Sequence, residues 1–119
     1  MKIVNVNQLK QVTLIDSEVV NRASNMLEIL DAEYGSERSL TDAGGYVLMV
    51  QDNDQADIDE LDEFVGLYDN CIVEYAETFV GDDERTYCEM LLLLSSDYGV
   101  VIYMTQALFE KYESQFRWY

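Results

Sequence analysis

The chain has 119 residues, 49% of them hydrophobic, and a formal charge of −17, from 24 acids against 7 Lys and Arg with no histidine. This length and apolar content suit one folded domain, residues 1–119, and exclude a wholly disordered chain. No stretch approaches the ~18–20 apolar residues of a membrane span, and Met1 to Asn5 lacks a signal peptide's long apolar segment, so a cytoplasmic protein is expected.

In chain order, Lys2-Ile3-Val4 and Val12-Thr13-Leu14-Ile15 are apolar and β-branched, and either suits a short edge strand. A helix over about 17–34 follows, with Val19, Ala23, Met26, Leu27, Leu30 and Tyr34 at helical spacing. Asp16 or Ser17 caps it, and Gly35 ends it. Residues 36–44 read as a polar loop. Its Gly-Gly is no phosphate loop, because no Gly-Lys-Ser/Thr follows. A strand is expected over 45–51, then a short acidic helix over 55–65. Asp54 caps that helix, Asp57 imitates a capping box and Gly66 is the stop. Three more strands follow, at 71–79, 86–94 and 100–104, joined by turns at Gly81–Glu84 and Ser95–Gly99. Thr105 caps a final helix over 106–116. Its stripe of Leu108, Phe109, Tyr112, Phe116 and Tyr119 should dock on the sheet, with Trp118 off the stripe and exposed. The fold class is α+β, a four-stranded, mainly antiparallel sheet with three helices.

Parity sorts the three C-terminal strands. If Val80 pairs with Arg85, Val73 opposes Leu92 and Tyr75 opposes Met90. If Ser95 pairs with Gly99, Leu92 opposes Ile102. One face then carries Cys71, Val73, Tyr75, Met90, Leu92, Leu94, Val100, Ile102 and Met104, without a charge. The opposite face holds Ile72, Ala76, Leu91, Leu93, Val101 and Tyr103, relieved by Glu74 and Glu89. It is apolar enough to need a cover, from a helix or the N-terminal segment, unless part of it is a partner or dimer surface. This register puts Cys71 and Cys88 about 20 Å apart, far beyond disulfide reach.

Chemistry-bearing motifs are few. Asp52, Asp54 and Glu63 occupy the first, third and twelfth positions of a calcium loop. Ala56 and Asp57 break the pattern at the fifth and sixth, and a strand precedes it. No metal or cofactor is expected. Without histidine, and without a nucleophile motif, an enzyme is not expected either. Residues 39–110 hold seventeen acids and one base, Arg85. Such a surface repels nucleic acid and anionic lipid and attracts basic proteins. A rigid domain with spread carboxylates can instead imitate the phosphate array of a duplex. The candidate partner-binding residues are Asp52, Asp54, Asp59, Glu60, Glu63, Asp69, Glu74, Glu77, Asp82, Asp83, Glu84 and Glu89, with Trp118 as an exposed aromatic.

The run from Gly44 to Val50, the acidic helix after it, and Leu91 to Gly99 resemble uncharacterised small acidic proteins of bacterial phages and conjugative elements. That resemblance implies a mobile-element context, in which small acidic inhibitors of host defence are common, antirestriction and anti-CRISPR proteins among them. The expectation is a non-enzymatic acidic protein that binds a basic protein surface, as a nucleic-acid-mimicking inhibitor. The alternatives are a toxin-neutralising immunity protein, or a small enzyme or calcium-binding module. No direct nucleic-acid or membrane partner is expected, and a homodimer stays open.

Overall fold

Tyr46–Val50, Met90–Leu94 and Val100–Met104 are continuous apolar runs rather than alternating ones, as strands covered on both faces require. The computed structural model describes residues 1–12, 15–30, 44–67, 72–95 and 98–118. Its elements are β1 (Lys2–Ile3), α1 (Val6–Lys10), α2 (Ser17–Leu30), β2 (Gly44–Met49), α3 (Gln55–Leu67), β3 (Ile72–Val80), β4 (Thr86–Ser95), β5 (Tyr98–Thr105), α4 (Gln106–Tyr112) and β6 (Arg117–Trp118). A 3-10 turn at Glu113–Gln115 joins the last two. The fold is α+β. Among the described residues the sheet has six strands in the order β1-β2-β5-β4-β3-β6.

Each face of the sheet has its own core. On one, α3 and the C-terminal segment bring Leu61, Phe64, Val65, Leu108 and Phe116 onto Leu48, Val73, Met90, Leu92, Ile102 and Met104. On the other, α1 and α2 bring Leu9, Val19, Ala23, Leu27 and Leu30 onto Val47, Met49, Leu91, Val101 and Tyr103. The second apolar face is therefore covered by a helix and the N-terminal segment, as its composition requires. Ile72 stays 44% exposed at its margin. Among the described residues no helix is long and apolar enough to cross a membrane.

Several expectations are corrected. The sheet is mixed: β2 runs parallel to β5, and β6 parallel to β3. Lys2–Ile3 forms a short edge strand, β1, antiparallel to β2, as its residues suit, which with β6 brings the sheet to six strands, and the helices gain α1. The β3–β4 register shifts between Val73 and Tyr75. Val73 opposes Leu92 as expected, but beyond the shift Tyr75 opposes Leu91 and Ala76 opposes Met90. A bulge adds one residue and inverts the faces that follow it. Tyr75 thus joins the α2 side and Ala76 the α3 side. Between β4 and β5, Leu92 opposes Val100 and Met90 opposes Ile102. That is a slip of two residues from the expected pairing, which leaves the faces unchanged. Val80 faces Thr86, not Arg85. Cys88 faces Thr78, is buried and carries a free thiol that burial pushes up to about 11. Helix α3 runs through Gly66 to Leu67, and α4 stops at Tyr112, although Phe116 beyond it still packs into the core. Residues 13–14, 31–43, 68–71, 96–97 and Tyr119 lie outside the described residues. The expectations for Thr13-Leu14, Tyr34, Gly35, the loop at 36–43, Asp69, Cys71, the centre of the Ser95–Gly99 turn and Tyr119 fall there.

The parallel pair needs close backbone approach. Gly45 has φ 132° and faces Gly99, and a Cβ at Gly45 would lie 1.6 Å from the Gly99 carbonyl oxygen. Only glycine fits there.

Candidate functional site

The β3–β4 hairpin ends in Gly81-Asp82-Asp83-Glu84-Arg85. Gly81 N–H donates to the Arg85 carbonyl at 2.8 Å, and Glu84 N–H to the Gly81 carbonyl at 3.0 Å. Glu84 sits at φ 69°, in the left-handed region. This is a three-residue loop with a left-handed final residue, a common hairpin connection. The residues are polar because nothing covers them: Asp82, Asp83 and Glu84 are all exposed.

This turn is held against the start of α2. Asp16 caps the helix, its Oδ1 accepting from the Glu18 and Val19 backbone N–H groups at 2.9 and 3.3 Å. Its Oδ2 accepts from the Asp83 N–H at 2.9 Å. Ser17 Oγ donates to Asp82. Gly81 lacks the Cβ that would press within 3 Å of both the Asp16 carboxylate and the Tyr87 ring. Asp83 also accepts from the Arg85 N–H at 3.0 Å and the Tyr87 hydroxyl at 2.6 Å. The Tyr87 bond, then the Arg85 bond, hold the Asp83 carboxyl below its usual range. Burial, then Asp83, push the Tyr87 hydroxyl up. Arg85 reaches across to Asp52 in the loop before α3. A cleft of about 130 Å³ lies between these segments, bordered by Asp16, Asp52, Asp83, Arg85 and Tyr87.

The fold thus gathers Asp52, Asp82, Asp83 and Glu84 at one end of the sheet, together with Asp16. Arg85 is the base among them. From there the acids continue along α3. Asp54 caps that helix through the Ala56 and Asp57 N–H groups, at 2.9 and 3.3 Å. Asp59 and Glu63 are exposed on it, while Glu60 is half-buried and paired with the Met1 ammonium. Asp57 is buried. Its carboxylate accepts from the Gln51 N–H at 3.0 Å and the Met1 amino group at 3.1 Å.

Four expected site residues stand apart, Glu74, Glu77, Glu89 and Trp118. Glu89 is not a surface acid: it is 3% exposed on the α2 side of the sheet. It takes the Tyr103 hydroxyl at 2.6 Å and Arg22 Nη1 at 3.1 Å. Alternation along β4 puts it on the Leu91 face, which α2 covers. Burial is the main cause that raises its pKa. Glu77, on the same face but exposed, also takes Arg22 Nη1 at 3.0 Å. Its pKa is lowered, first by the hydrogen bond with Glu89 and then by Arg22. Trp118 is exposed as expected, with its ring edge-on to Phe109. It pairs at the start of β3, so the hairpin turn lies about 25 Å away along the strand. Glu74 is exposed at the bulge.

Sequence reasoning missed Asp16 and Arg22. Asp16 is legible as a helix cap, but its second oxygen reaches a turn distant in sequence. Arg22 is one of four bases against six acids in residues 1–38, and only the packing of α2 brings it to Glu77 and Glu89. Comparison with known proteins finds no matching family model, no matching curated protein and no matching solved structure.

Proposed function

We propose that this chain is a non-enzymatic acidic protein that binds a basic surface on a protein partner, imitating the phosphate array of nucleic acid. The partner class is a host-defence or other nucleic-acid enzyme, met in the cytoplasm, with the chain encoded on a mobile element. The observation that supports this is the acidic end of the sheet. Asp16, Asp52, Asp82, Asp83 and Glu84 converge there on three segments tied to one another through Asp16, Ser17 and Arg85, with Tyr87 bracing Asp83 within the hairpin. Carboxylates tied in this way lose little freedom on binding, which favours affinity over mere solubility.

The test is binding of the purified chain to a restriction endonuclease and to an RNA-guided nuclease, with duplex DNA as competitor. DNA should compete, and affinity should fall steeply with added salt. A variant carrying Asp59→Asn, Glu63→Gln, Asp82→Asn and Glu84→Gln should bind at least about tenfold more weakly. Binding that survives ~1 M salt, where screening leaves a reach of only ~3 Å, sinks the mimicry reading. Salt-resistant neutralisation of a toxin would replace it with an immunity role.

A further inference from the structure

Among the described residues one edge of the sheet is open, and its chemistry selects what can close it. Strand β6 covers β3 only at Ile72 and Val73. Beyond the bulge, β3 continues to Val80 with β4 on one side and, among the described residues, no strand on the other. The orientation of its backbone follows from the hairpin. In an antiparallel ladder, residues alternate between those bonded to the partner strand and those pointing away. Gly81 donates to Arg85, so Gly81 is a bonded residue. Phe79 and Glu77 are then bonded to β4 as well. Ala76, Thr78 and Val80 therefore turn their N–H and C=O groups to the open edge.

We infer that this edge, Ala76 to Val80, takes an extended basic segment of a protein partner as an added antiparallel strand. This rests on the reading of the chain as a binder of basic proteins and names how the partner is held. The two sides of the edge specify the segment. On the α2 side, Glu77 is exposed beside a shallow cleft of about 370 Å³ that Glu18, Asn25 and Met26 also border. That cleft suits a Lys or Arg side chain by charge, since Glu18, Glu77 and Glu89 outnumber Arg22 along it. On the opposite side, Val80 is 63% exposed and offers an apolar neighbour. An incoming strand that alternates basic and apolar residues satisfies both sides at once.

A second copy of this chain does not fit. Pairing two such edges about Glu77 sets Glu77 against its own copy. Pairing them about Thr78 brings Asp82 of one copy toward Glu74 of the other. Like charges opposed across strands are destabilising, and each copy carries −17. The acids that guard the edge against self-association are those that attract a basic strand.

The experiment uses the full ¹⁵N-labelled chain and an eight-residue peptide alternating lysine and valine. The amides of Ala76, Thr78 and Val80 should shift and exchange at least about tenfold more slowly with peptide bound, while those of Glu77 and Phe79 should stay protected as before. N-methylation of alternate peptide amides should abolish binding without any change to the protein. A glutamate–valine peptide should not bind. Thr78→Pro removes an outward N–H and leaves the β4 ladder intact, so it should weaken peptide binding at least about tenfold. Shifts confined to Asp82–Glu84, or equal binding of the N-methylated peptide, would overturn the inference. A nuclease partner that binds Thr78→Pro as well as the parent overturns it too, and leaves the acidic-end reading standing. Failure of every nuclease alongside edge binding of the peptide removes that reading's partner class instead.

Discussion

At the scale of single residues, the Arg22, Glu77, Glu89 and Tyr103 group concentrates the cost and the gain of burying charge. Tyr103 is buried and donates to a buried carboxylate. Tyr103→Phe should cost about 1.5–3 kcal/mol in urea denaturation, because hydrogen bonds to charged groups are the stronger ones. A loss within the range of a surface substitution would show that the bond adds nothing. Glu89 also ties stability to pH. Its folded pKa is raised, so its contribution is complete below the ordinary carboxylate range and is lost as pH climbs through the raised value. Glu77 acts oppositely: its pKa is lowered, and its contribution is lost as pH falls through that lower value. Glu89→Gln removes the first of these. The fall in Tm from pH 5 to pH 7 should therefore be smaller in the variant than in the parent. An equal or larger fall would mean that Glu89 holds its proton no differently in the folded chain.

At the scale of elements, two backbone positions decide whether strands meet. The parallel β2–β5 pair depends on Gly45, where a methyl group would overlap the Gly99 carbonyl. Gly45→Ala should destabilise by more than about 3 kcal/mol, beyond the ordinary range for point changes. Thermal or urea unfolding checks this, and a loss under 1 kcal/mol would contradict the close approach. The β3–β4 hairpin turns on Glu84 at φ 69°, a conformation that costs an L-residue roughly 1–2 kcal/mol. Glu84→Gly should therefore stabilise the chain by about 1 kcal/mol, net of glycine's larger unfolded freedom. Urea midpoints of the two chains decide it, and a lower midpoint in the variant would refute the strain.

At the scale of the whole molecule, net charge opposes the fold. The charge of −17 is borne mainly by residues 39–110, whose described acids lie on the sheet, the loop before α3, α3, the hairpin turn and α4. Added salt screens both this repulsion and the ion pairs, such as Arg85 with Asp52. With 24 acids and 7 bases the repulsive pairs outnumber the attractive ones, so screening should stabilise. Tm should rise between about 0.02 M and about 0.5 M NaCl, as the Debye length falls from roughly 20 Å to about 4 Å. A falling Tm over that range would show that the ion pairs dominate. The same repulsion favours partners of opposite charge, so an interface at the acidic end should stabilise the chain as it forms.

How much was legible in the sequence follows from what is local. Helical spacing over Val19 to Leu30, the caps at Asp16, Asp54 and Thr105, and the turn at Gly81–Glu84 are set by neighbours, and the structure keeps them. Parity carried the β4 and β5 faces through a two-residue slip, because an even shift does not exchange faces. The concentration of seventeen of the 24 acids, with a single base, in residues 39–110 is likewise a property of the chain alone. What only the tertiary structure decided is non-local. The parallel direction of β2 against β5 depends on where a long crossover returns, and an apolar run reads the same in either direction. The bulge after Val73 was hidden because Tyr75 and Ala76 are both compatible with a core face. Glu89 reads as a surface acid until α2 lays Arg22 over it. A carboxylate can be buried only where a cation and a donor from distant segments meet it, and the sequence does not state that meeting.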